Sequence, residues 1–196
     1  MPYAGEAKKN EPTTRMRIKS RFLDEYRKKP LRQIHVDDLA KACSISRGTF
    51  YFYFESIPFL YRECEKEIIL LMEAYVPDMR LNTVGNDIDN SINTAVLLLR
   101  VIKEHLVDYK SFVTGSERDS FLNAWSEHIY AGFAPTMDFS RNTPLRTREN
   151  ISRFYAGGLV SVLKNWILSD CDEPEESLAA MMAQVIFRGL YSRQEL

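Results

Sequence analysis

The sequence is poor in the residues that would staple a small fold or hold a metal. Its 196 residues include only three cysteines, Cys43, Cys64 and Cys171, widely separated and without a Cys-x-x-Cys pair. That spacing argues against a disulfide frame and a zinc site, and it suits a reducing compartment. Long apolar runs are also missing. Nothing approaches the ~20 residues of a membrane-spanning helix, and the opening Met1-Pro2-Tyr3-Ala4-Gly5 lacks a signal peptide's apolar core. The expectation is a cytoplasmic protein with no membrane partner. There is no strand-period alternation, no repeat and no low-complexity tract, which leaves an all-α fold. The constellations of helical enzymes are absent as well: no Glu-x-x-His pair, no paired nucleophile and base, no phosphate loop. No catalytic residue, cofactor or metal ligand is therefore expected.

What is present is an ordinary globular composition, 45% hydrophobic and 27% charged, in a chain long enough to bury a real core. The net charge of −1 hides an asymmetry. Residues 1–60 hold 12 Lys+Arg against 7 Asp+Glu, so the remainder holds 14 against 20. A basic head on an acidic body fits nucleic-acid binding by the head alone.

The stretch from Val36 to Phe54 gives that head its chemistry. Leu39, Ala40 and Cys43 share one face of a short helix that carries Asp37 and Asp38 in its first turn. After a break at Ile45, Ser46 is a good N-cap for a second helix over about Arg47–Phe54, too short to be stable alone. That helix has more aromatics than one buried face can use. Phe50 and Phe54, four apart, can face inward, leaving Tyr51 and Tyr53 to point elsewhere beside Arg47 and Thr49. A guanidinium, a hydroxyl and two phenols offered outward suit a phosphate backbone and a major groove. The helix reads as a recognition helix.

Around it the chain is punctuated clearly. Residues 1–12 read as a disordered arm, and Thr13 or Thr14 caps a first helix running to about Lys29, before Pro30. Ser56 caps a long fourth helix with Pro58 in its first turn, ending near Pro77. A loop is expected over 78–87, then a helix over Ile88–Leu106, a short turn around Tyr109–Val113, and a helix over Arg118–Phe133. An irregular loop over 135–146 precedes helices from about Thr147 to Ser169 and from about Pro174 to Tyr191.

From Val36 to Leu60 the chain closely resembles the DNA-binding domain of the TetR (tetracycline-repressor) family of transcriptional regulators. The matching residues are Val36, Leu39-Ala40, Ile45-Ser46-Arg47-Gly48-Thr49-Phe50-Tyr51, and Tyr53-Phe54 with Ser56. Arg153 to Leu159, continuing to Trp166, also looks like a C-terminal domain type of such regulators from Firmicutes. The resemblance implies an N-terminal three-helix helix-turn-helix head joined by a long helix to a helical ligand and dimerisation domain. Residues 1–57 would be the arm and head, and 58–196 the connector, effector-binding and dimerisation domain. It assigns Arg47 and Gly48 to the groove-facing start of the recognition helix, Gly48 admitting the DNA and Arg47 reading guanine or binding phosphate. Thr49, Tyr51 and Tyr53 would bind phosphates. Three positions depart from the family pattern: Ser44 for a turn glycine, His35 for a capping threonine, and Ile57 for a phosphate-binding lysine.

The resemblance further implies a pocket for an unidentified small-molecule effector among the fourth to seventh helices, with Tyr75, Phe112, Phe121, Trp125, Phe133 and Tyr155 as candidate walls. It implies a homodimer through the last two helices, with Gly158, Val162, Met182, Val185 and Ile186 at the interface, and hence a palindromic operator in double-stranded DNA. The expected function is a dimeric one-component regulator, a repressor released by its effector. The competing reading is a family member that acts through a protein partner as coactivator or adaptor, supported by Ile57 and the exposed aromatics.

Overall fold

The computed structural model describes residues 13–75, 88–137, 139 and 142–191, with side chains at 72–75, 90, 133, 136 and 187–191 left aside. The arm at 1–12 and the loop at 78–87 lie outside the described residues. Two compact units divide between Cys64 and Glu65.

The first unit contains α1 (Thr14–Tyr26), α2 (Val36–Ala42), α3 (Arg47–Tyr53) and the opening turns of α4 (Ile57–Tyr75). Thr13 caps α1 by accepting from the Met16 N–H. The helix stops at Tyr26, short of the expected Lys29, because the residue before Pro30 is pushed out of helical geometry. Lys28 and Lys29 instead fold back in a turn and pair with Glu25. Ile18, Phe22, Leu39, Phe50, Phe54 and Leu60 are fully enclosed. Each such side chain contributes about 1.5–3 kcal/mol on burial, so tertiary packing rather than propensity holds helices of seven residues.

The α2–α3 turn closes in a specific way. The Ser44 N–H donates to Lys41 O and the Ile45 N–H to Ala40 O, satisfying the last carbonyls of α2. Ser44 adopts φ 53 to do so, the left-handed conformation the turn usually gives to glycine. His35, at the start of α2, supplies no side-chain cap, which leaves the first-turn carboxylates of Asp37 and Asp38 to complement the exposed N–H groups.

The second unit holds the rest of α4, then α5 (Ile88–Glu104), α6 (Leu106–Thr114), α7 (Arg118–Phe133), a 3-10 turn at Ala134–Thr136, α8 (Leu145–Leu168) and α9 (Glu175–Tyr191). Nine α-helices and no strand occur among the described residues. Helix α5 packs along α9, fastened by Arg100–Glu176 at 2.8 Å and Lys103–Glu175 at 2.9 Å. Helix α7 packs along α8, and α6 lies against both.

Helix α6 replaces the short turn expected around Tyr109–Val113. Tyr109, Phe112 and Val113 occupy i, i+3 and i+4 and are all buried, so they form one helical face. A break at His105 separates α6 from α5. The buried Tyr109 hydroxyl donates to the Ile68 carbonyl at 2.9 Å, tying α6 to α4 within this unit. Burial drives that phenol's pKa well above its ordinary value, so it stays neutral.

Candidate nucleic-acid interface

Helix α3 is pinned at its start by Ser46, whose Oγ accepts from the Thr49 N–H at 3.0 Å and lies 2.9 Å from Thr49 Oγ1. Phe50 and Phe54 point into the core and fix the helix rotation. That rotation leaves Tyr51 48% exposed, Tyr53 half-buried, and Arg47 and Gly48 exposed. The five residues expected to meet DNA are therefore solvent-accessible on one short helix, with Thr49 and Tyr53 on one flank and Arg47 and Tyr51 on the other.

Arg47 is already held in place. Its Nε lies 3.1 Å from Asp37 Oδ1 and its Nη1 donates to Asp37 Oδ2 at 3.3 Å. A hydrogen bond with Tyr51, and then the Asp37 charge, raise the guanidinium pKa. Both partners are mostly exposed, so solvent screens the pair and leaves it easily broken. Gly48 sits in open space: an added Cβ would meet only Ser46 Oγ, at 3.6 Å. Its own unit does not require glycine there, although glycine costs a helix roughly 0.5–1 kcal/mol relative to alanine.

The expected vacancy for a cation at Ile57 has a local cause. Ile57 opens α4 and is 7% exposed, so it belongs to the head's core. Two α1 cations are engaged within the head. Arg15 and Lys19 pair with Glu63 and lie over the Phe54 ring, at 5.0 Å and 5.9 Å from its centroid. Burial alone would raise the Glu63 pKa, but hydrogen bonds from Arg15 and Lys19 outweigh it and hold the carboxyl below its ordinary 4.5.

One outward group escaped the sequence reading. Phe52 is 81% exposed, the most exposed large apolar side chain among the described residues. Its signal was positional, since a residue midway between two inward phenylalanines must face away from the core.

In the second unit, Phe112, Phe121 and Trp125 come together. Phe112 and Phe121 stack at 5.1 Å, Phe121 lies 5.5 Å from Trp125, and Tyr109 also lies 5.5 Å from Trp125. All four are fully buried. The Trp125 Nε1 finds no hydrogen-bond partner among the described residues, and an unsatisfied buried donor costs about 1–3 kcal/mol. Tyr155 is half-buried on α8, edge-on to Phe154. The side chains of Tyr75 and Phe133 lie outside the described residues.

Along α8, Phe154, Gly157, Gly158 and Ser161 form an exposed stripe at helical spacing, and a Cβ added at either glycine meets nothing within 4 Å. Val162 is half-buried beside it. On α9, Val185 is 56% exposed, while Met182 and Ile186 are half-buried. No cluster of His, Cys, Asp or Glu among the described residues could hold a metal ion, and no described helix is long and apolar enough to cross a membrane.

A helix-turn-helix head and an all-helical second unit together define a DNA-binding regulator fold. A family model described as "Transcriptional regulator C-terminal region", of the TetR type, matches residues 89–188. The chain belongs to the TetR family of transcriptional regulators. Its fold is similar to that of the dihydroxyacetone kinase operon activator DhaS, at 18% identity over 91% of this chain and 96% of that one, TM-score 0.59. It is similar to a tetR-family transcriptional regulator from Streptomyces coelicolor, at 16% identity over 93% and 82% of the two chains, TM-score 0.55. A third likeness is to the TetR family repressor AlkX from Dietzia sp. strain DQ12-45-1b, at 16% identity over 91% and 95%, TM-score 0.55. At these identities the likeness is one of fold. No curated protein sequence matches the chain.

Proposed function

We propose that the chain is a dimeric, cytoplasmic one-component regulator whose two α3 helices bind a palindromic operator, repressing by occupancy until a small effector releases it. The observation that carries the reading is the outward face of α3. A held but separable guanidinium, an unobstructed glycine, a threonine hydroxyl and two phenols share one short helix, which Phe50 and Phe54 anchor. Arg47 then reads guanine or phosphate, Thr49, Tyr51 and Tyr53 fix register on phosphates, and Gly48 lets the backbone come close.

The support for dimerisation is the open α8 stripe with Gly158, and Val185 on α9. The support for an apolar effector is the aromatic cluster of α6 and α7, where the Trp125 N–H, without a partner among the described residues, would meet one acceptor atom of the ligand. Such an effector acts by preferring the state whose two heads fit DNA poorly. The protein-partner reading loses one support because Ile57 is core.

The test is enrichment of duplexes from a random pool by the full chain, followed by anisotropy titration with Arg47→Ala and Tyr53→Phe. Enrichment of a palindrome that both variants bind more weakly supports the reading. Enrichment of no duplex, or unchanged affinity in both variants, overturns it.

A further inference from the structure

We propose that Phe52 reads sequence by packing its ring on the C5-methyl group of one thymine in each half-site. This rests on the DNA-binding reading above and names how that surface chooses bases. The first support is exposure: at 81%, the ring forgoes the stabilisation that burial would bring. The second is direction. Phe50 and Phe54, two residues to either side, are 0% and 1% exposed, so Phe52 projects opposite the core, one turn beyond Gly48. Its edge-to-face contact with Tyr53, at 5.1 Å and 87°, holds the ring on that outer side.

The third support is the frame. Arg47 and Tyr51 flank the Gly48–Phe52 stripe on one side, Thr49 and Tyr53 on the other. These groups donate to phosphates, and the open space at Gly48 admits close approach. A single ring inside a polar, cationic frame matches the one apolar group on the major-groove floor, the thymine methyl. It is too small to anchor a protein surface by itself: a Phe ring offers about 150–250 Å2, whereas a standard protein interface buries roughly 800 Å2 per partner.

The experiment uses the full chain and a duplex enriched from a random pool. Each thymine is replaced in turn by deoxyuridine, which deletes only the methyl group, and affinity is read by anisotropy. For the natural chain, one thymine per half-site is expected to show about a fourfold loss, and about sixteenfold when both half-sites are changed. Phe52→Ala binds the parent duplex more weakly and does not distinguish thymine from uracil at that position. The exposed position keeps the fold intact, which a thermal melt verifies, and Phe52→Leu recovers part of the discrimination. Two results overturn the proposal: no thymine with a methyl dependence in the natural chain, or the same dependence persisting in Phe52→Ala. Enrichment of no duplex at all overturns the DNA-binding reading itself, an outcome distinct from both.

Discussion

Replacing Gly48 by alanine separates what the fold wants from what the ligand wants. The added methyl meets only Ser46 Oγ, at 3.6 Å, an ordinary contact, and the backbone there needs no left-handed conformation. Removing glycine's conformational freedom from a first-turn helical position stabilises the chain by about 0.5–1 kcal/mol. A gain of that size raises the melting temperature by about 1–4 °C if the chain unfolds as one unit. On DNA the same methyl stands where a base edge or sugar approaches, and steric overpacking of about 1–3 kcal/mol weakens each half-site by roughly 5- to 150-fold. The expected variant is more stable and binds less well. Circular dichroism melts and anisotropy on the enriched duplex read the two effects separately. Higher stability with unchanged affinity would show that DNA does not approach Gly48, and the docking face would have to be redrawn. Lower stability would show that the glycine serves the fold.

Ser44→Gly relieves a left-handed serine at φ 53 and should stabilise the chain by up to about 1 kcal/mol; an unchanged or lower melting temperature refutes strain in that turn. Ile57→Ala, at a core position, should cost about 2–4 kcal/mol in urea unfolding, and a loss below about 1 kcal/mol would remove it from the core. The Glu63 carboxyl is held below its ordinary 4.5, so its contribution is present above that pH and lost as pH falls through the folded value. Glu63→Gln should therefore flatten the acid limb of the stability curve, and limbs that stay parallel for the two proteins as pH falls below 4.5 refute the pairing. Val185→Arg, at an exposed apolar position on α9, should yield monomers in sedimentation velocity; an unaltered dimer takes Val185 out of the interface.

Local rules made most of the head legible. Thr13 and Ser46 are caps by side-chain chemistry, and both accept the hydrogen bonds their positions promised. The spacing of Phe50 and Phe54 sets which way α3 turns, and Arg118–Phe133 was visible from its stripe of Phe121, Leu122, Trp125 and Ile129. The α6 region was harder because its nine residues span too few turns to tell a helical period from a short break before Gly115. Its helix is held by burial of Tyr109 and Phe112 and by the bond to Ile68.

The sequence by itself determined the caps at Thr13 and Ser46 and the inward face of α3, because capping and periodicity act within a few residues. Only the tertiary structure decided that Ile57 is core, that Asp37 holds Arg47, and that Arg15 and Lys19 are engaged with Glu63. Those three facts concern which surfaces meet across the fold, and no local pattern along the chain encodes them.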